Sequence, residues 1–238
     1  MKLGILATDI GPSPLVEQYG SFADMFVKLF DQTDSGFEYT VYSVIDGVFP
    51  QDLDQYDGWI ITGSVNGVYE NLPWMQQLKT LILQLHEEKR PTVGICFGHQ
   101  IIAEALGGKV EKFDGGWCLG PHQYQLHGEH YFIPKETEGF VINAVHQDQV
   151  IEKPGVSEVL ASSDFCPNAG LIYGDHIVTL QGHPEFSRQY EEALLSLKEG
   201  VNFPEDIKKD ALVAVKDQPL DSAAVAVWLA EFLKAGRV

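Results

Sequence analysis

Two runs of this chain are apolar on both faces, Gly58-Trp59-Ile60-Ile61-Thr62-Gly63 and Pro91-Thr92-Val93-Gly94-Ile95-Cys96. Strands without a polar face belong in the middle of a parallel sheet, where helices cover both sides. Between them, residues 73–89 open with Pro73 and repeat Leu78, Leu81, Ile82 and Leu85 at helical spacing. Strand, helix and strand make a βαβ unit, and the rest of the chain extends the pattern. Strands are expected at 3–8 and 37–45, and helices at 22–30 and at 100–106, the latter closed by Gly107-Gly108. Residues 109–180 change to short strands and Gly/Pro turns, which predicts a mixed or antiparallel extension of the sheet. Helices return at 188–198 and 222–233. The expected fold is α/β, a doubly wound, mostly parallel sheet with helices on both faces. One domain is expected over 1–238, ending in a helical tail over about 200–238.

Charge narrows the partners. With 16 Lys and Arg against 34 Asp and Glu, the formal charge is -18. Such a chain repels phosphate backbones and anionic lipid, so neither nucleic acid nor a membrane surface is an expected partner. No window approaches the roughly 18 apolar residues of a membrane span. Cys96, Cys118 and Cys166 fit neither a disulfide framework nor a zinc site, which points to a reducing compartment and a cytoplasmic location.

The chemistry concentrates in Gly94-Ile95-Cys96-Phe97-Gly98-His99-Gln100, a Gly-x-nucleophile-x-Gly sequence between a strand and a helix. A nucleophile on so tight a turn needs small neighbours two residues to either side. The turn also aims the following backbone N–H at a developing oxyanion. The N-terminus of the next helix favours thiolate over thiol. A base is available in Gly182-His183-Pro184-Glu185, where residues i and i+2 of extended chain share a face, so that Glu185 can orient His183. The turn Gly63-Ser64-Val65 follows the other buried strand. In an open α/β sheet it lies on the same rim as Cys96 and can supply further N–H donors.

Together, Gly-Ile-Cys-Phe-Gly-His-Gln and the later Gly-His-Pro-Glu resemble the class I glutamine amidotransferases, over about residues 40–190. The resemblance implies a Cys-His-Glu triad on a doubly wound α/β fold, with Cys96 as nucleophile, His183 as base and acid, and Glu185 as its orienter. It implies an oxyanion hole at Gly63, Ser64 and Phe97, whose donors are the N–H groups of Ser64 and Phe97, and substrate contact by Gln100. His146, Gln147 and Asp148 resemble the His-centred substrate-binding segment of GMP synthase glutaminase domains and plant γ-glutamyl peptidases. By itself that stretch reads equally well as a polar strand-to-turn segment. Trp117 lies in a Gly-Trp-x-x-Gly element of the same two groups and reads slightly better as packing. Cys118 and Cys166 read as structural. Many relatives have Gly-Gly-Pro where this chain has Gly63-Ser64-Val65, and losing the proline predicts a looser turn.

The expected activity is Cys-dependent hydrolysis of a γ-glutamyl amide through a glutamyl thioester, with no metal or organic cofactor. The substrate is glutamine or another γ-glutamyl small molecule. Residues after 185 contain no Gly-rich phosphate loop, so a synthetase accepting ammonia would act in trans. The alternatives are a γ-glutamyl peptidase acting on glutathione-like peptides or conjugates, and a non-catalytic binding or regulatory module.

Overall fold

The computed structural model describes residues 1–197 and 203–236. In chain order the elements are β1 (Lys2–Ala7), α1 (Ser13–Tyr19), α2 (Phe22–Asp31), β2 (Glu38–Ser43), β3 (Gly58–Ile61), α3 (Pro73–Glu87), β4 (Thr92–Ile95) and α4 (Phe97–Ala105). There follow β5 (Lys109–Lys112), β6 (Cys118–Leu126), β7 (Gly139–His146), β8 (Asp148–Glu152), β9 (Glu158–Ser162), β10 (Gly170–Tyr173), β11 (Ile177–Leu180), α5 (Arg188–Leu195), α6 (Glu205–Asp217) and α7 (Ser222–Ala235).

The main sheet runs β2-β1-β3-β4-β11-β10-β9-β6-β7. Its first five strands are mutually parallel, and β11 to β7 continue as the antiparallel extension. Strands β3, β4, β10 and β11 are buried at every position. Alternate side chains supply two cores, as the period of a strand demands. On one face Leu3, Ile5, Ile60 and Val93 pack with Phe26 and Phe30 of α2 and Phe232 of α7. On the other, Leu6, Trp59 and Ile61 pack with Leu78 of α3 and Ile101 of α4. Helix α2 starts on a reciprocal cap, Ser21 with Asp24.

The helix expected at 188–198 ends at Leu195, and Lys198 lies outside the described residues. So do 200–202 and 237–238 of the expected tail, whose described part holds α6 and α7. Helix α4 starts at Phe97, three positions before the expected 100, so it begins directly behind Cys96. Helix α1 had no clear apolar period, and only Leu15 of it is buried. Among the described residues, no helix is long and apolar enough to cross a membrane.

Candidate active site

The parallel strands end on one rim, which the site occupies. β4 stops at Ile95, and Cys96 takes φ 53 and ψ -104, a left-handed conformation that side chains rarely adopt. The strain is imposed from both sides. Cys96 N–H donates to Leu180 O at 2.8 Å, continuing the β4–β11 pairing, while Gly98 N–H already donates to Thr62 O at 3.1 Å. The chain must pass from strand to helix within one residue, and the flanking glycines permit it. A Cβ on Gly94 would lie 2.8 Å from Gly98 O, and one on Gly98 would lie 2.3 Å from Ile61 O. The thiol thus stands at the mouth of α4.

His183 follows β11 and faces it. Its N–H donates to Asn143 O at 2.7 Å, and Asn143 Nδ2 donates to Phe186 O at 2.9 Å, so β7 holds both ends of the His-Pro-Glu segment. His183 Nδ1 lies 2.7 Å from Glu185 Oε1, and its ring stacks on Phe186 with centroids 3.9 Å apart and planes 6° apart. The two side chains meet as expected but in a turn, closed by Phe186 N–H on His183 O, and not on one face of an extended strand. Pro184 allows this because it has no N–H for a ladder to claim. Burial opposes charging the imidazole, but Glu185 and a hydrogen bond with Cys96 outweigh it and hold His183 well above its ordinary range. Residue 63 joins the two: a Cβ there would lie 3.1 Å from His183 Cε1 and 3.7 Å from Cys96 Cβ. The structure therefore brings Cys96, His183, Glu185 and Gly63 together.

A cavity of about 360 Å³ opens over the thiol, lined among others by Ser64, Cys96, Gln100, His146, Gln147, Asp148 and His183. Phe97 does not line it; its ring is buried against Trp74 with centroids 5.4 Å apart. Gln100 Nε2 donates to Asp148 O and to Gln181 Oε1, both at 3.0 Å, so this amide braces the 146–148 segment. Burial pushes the His146 imidazole down to about 3, leaving it neutral; Nδ1 lies 3.2 Å from Asp148 O and the buried Nε2 has no partner among the described residues. Gln147 Nε2 donates to Phe113 O at 3.3 Å, and Asp148 Oδ1 accepts from Tyr69 at 3.3 Å.

Several side chains escaped the sequence. Gln181 donates to Cys96 Sγ at 3.6 Å, and Asn143 anchors the histidine. Glu191 is fully buried on α5, with Oε1 accepting from Gly120 N–H at 3.1 Å. Burial, with Glu185 adding, pushes its carboxyl up to about 8, against the pull of His183 and Gly120. Only its place on a helix just after His-Pro-Glu hinted at this. The same cavity is also lined by apolar and aromatic side chains, Phe22, Trp117, Tyr190, Leu194 and Phe203. Trp117 meets Phe203 edge to face at 5.0 Å while lining the cavity. Cys118 and Cys166 are buried, and burial pushes both thiols up.

The Gly63-Ser64-Val65 turn, expected to be looser without its proline, is held by side chains on either side of it. Val65 N–H, which a proline would lack, donates to Asp9 Oδ2 at 3.1 Å, and Glu70 Oε1 accepts from Gly67 N–H at 2.7 Å.

Comparison with known proteins agrees with this architecture. Residues 15–198 match the model of the family "Glutamine amidotransferase class-I". The chain is 31% identical to γ-glutamyl peptidase 2 of Arabidopsis thaliana over 229 residues, covering 93% of this chain and 91% of that one. It is 35% identical to γ-glutamyl peptidase 5 of the same plant over 178 residues, 72% and 70% of the two chains. The crystal structure of a glutamine amidotransferase from Thermotoga maritima superposes with a TM-score of 0.72 at 19% identity, covering 99% of this chain and 97% of that one. By fold and by sequence over most of its length, the chain belongs to the class I glutamine amidotransferase family.

Proposed function

We propose that this protein hydrolyses γ-glutamyl amides at Cys96. The observation that carries the reading is the strained thiol at the start of α4 facing a buried His183–Glu185 pair 2.7 Å apart. Glu185 holds His183 Nδ1, leaving Nε2 to take the thiol proton. Cys96 Sγ attacks the γ-carbonyl carbon, and the N–H groups of Ser64 and Phe97 receive the oxyanion. The C–N bond breaks as the imidazolium passes its proton to the leaving amine, and a glutamyl thioester remains. His183 then takes a proton from water, whose oxygen attacks the thioester; glutamate leaves and the thiol is restored.

Ammonia needs little room, so the apolar and aromatic share of the cavity lining favours a leaving amine that carries an apolar or aromatic group. This supports a peptidase-type reaction over delivery of ammonia to a synthetase in trans, as does the similarity to γ-glutamyl peptidases. Purified protein is expected to release glutamate from γ-glutamyl amides, and C96A to lose this by at least about 10³-fold. Equal turnover by C96A would eliminate the mechanism. Glutamate from glutamine as fast as from bulky amides would favour the ammonia-releasing reading.

A further inference from the structure

An oxyanion donor works only if its N–H is aimed before the charge appears, because a peptide that must rotate during the reaction returns part of the gain. The Ser64 N–H belongs to the peptide whose carbonyl is Gly63 C=O. In a trans peptide these two point in opposite directions, so whatever grips the carbonyl aims the N–H. The Gly63 carbonyl is gripped by the end of β1. Thr8 is fully buried, and its hydroxyl lies 2.8 Å from Gly63 O, its shortest contact. Thr8 N–H donates to Thr62 Oγ1 at 3.0 Å, and Thr62 Oγ1 itself lies 3.3 Å from Gly63 O.

The next peptide is gripped by the next residue. Asp9 Oδ2 accepts from Val65 N–H at 3.1 Å, while Oδ1 accepts from Ile10 N–H at 2.7 Å and Gly11 N–H at 2.9 Å, which fixes the carboxylate in its own turn. Among the described residues Ser64 N–H has no acceptor, and residue 63 presents its other side to Cys96 and His183.

We infer that Thr8 and Asp9 are positioning residues that clamp the Gly63–Ser64–Val65 turn and aim the Ser64 N–H at the oxyanion, a role that rests on the reaction proposed above. Thr8 sets the direction by holding the carbonyl behind the N–H. Asp9 does for Val65 what a proline ring does by covalent restraint.

The test compares T8V, T8S, D9A and D9A/V65P in turnover of a γ-glutamyl anilide, in alkylation of Cys96 by iodoacetamide, and in hydrogen exchange at residues 63–66. Alkylation needs the thiol and its histidine but no oxyanion donor. T8V keeps the shape of threonine without the hydroxyl. It is expected to lower kcat about 10- to 100-fold with KM within about threefold, to leave alkylation unchanged and to speed exchange at the turn. T8S is expected to recover most of the loss, and V65P to recover turnover lost in D9A. Wild-type kcat in T8V overturns the inference, as does alkylation slowing in parallel with turnover, which would mean general distortion. A wild-type protein inert to γ-glutamyl amides would defeat the reaction itself. Exchange then decides the clamp: acceleration in T8V upholds it, and unchanged exchange overturns it.

Discussion

Two buried carboxyls, Glu185 and Glu191, feel the His183 imidazole, but they have different partners. Glu185 is matched by His183 at 2.7 Å. Among the described residues Glu191 is hydrogen-bonded only to a backbone N–H, and burial lifts its carboxyl from 4.5 to about 8. In the unfolded chain that carboxyl ionises near 4.5, so as pH rises through the window between the two values the unfolded state gains charge that the folded state refuses. The wild type therefore loses stability across this window, and it is the alkaline side that is penalised. E191Q cannot ionise and escapes the penalty. Measured by urea unfolding, the variant is expected to gain on the wild type by on the order of 3–5 kcal/mol between pH 4.5 and pH 8. A pH-independent difference would mean that Glu191 is charged in the folded protein.

At the scale of the element, the β4–α4 junction stores strain at the residue that carries the thiol. Glycine adopts φ 53 without a Cβ penalty, whereas alanine keeps the penalty and loses the thiol as well. C96G is therefore expected to unfold at a higher temperature than C96A, by about 1 kcal/mol in stability, although both are inactive. If C96A were the more stable, the junction would not be strained. Much of this junction was legible from sequence, because Gly94 and Gly98 answer a local steric demand made by atoms a few residues away or on the adjacent strand. The His-Pro-Glu segment was legible as a pair but not as a conformation. Its turn depends on Asn143, which β7 delivers from 40 positions upstream in the chain. The Gly63-Ser64-Val65 turn was only partly legible for the same reason: Val65 reads as a missing proline, and its partner Asp9 sits on another strand end.

Over the whole molecule, five parallel strands bring three loops to one rim, and the antiparallel extension, α5 and Phe203 add the apolar and aromatic part of the cavity wall. That wall is where leaving-group selectivity is expected to reside. Truncating it in W117A and F203A should raise KM for γ-glutamyl amides with aromatic leaving groups about 10-fold or more while changing kcat/KM for glutamine less than about threefold, since each buried aromatic contact is worth a few kcal/mol at most. Parallel loss on both substrates would place the wall in folding and not in selectivity. By itself the sequence determined the parallel core, the thiol on its turn and the family, because strand burial, helical period and a tight strand-to-helix turn are written in neighbouring residues. Only the tertiary structure decided what surrounds the thiol: the contacts of Thr8 and Asp9 with the 63–65 turn, the buried Glu191, the anchor at Asn143 and the aromatic lining of the cavity. Those are contacts between side chains far apart in the chain, and their partners are chosen by packing, which no local pattern records.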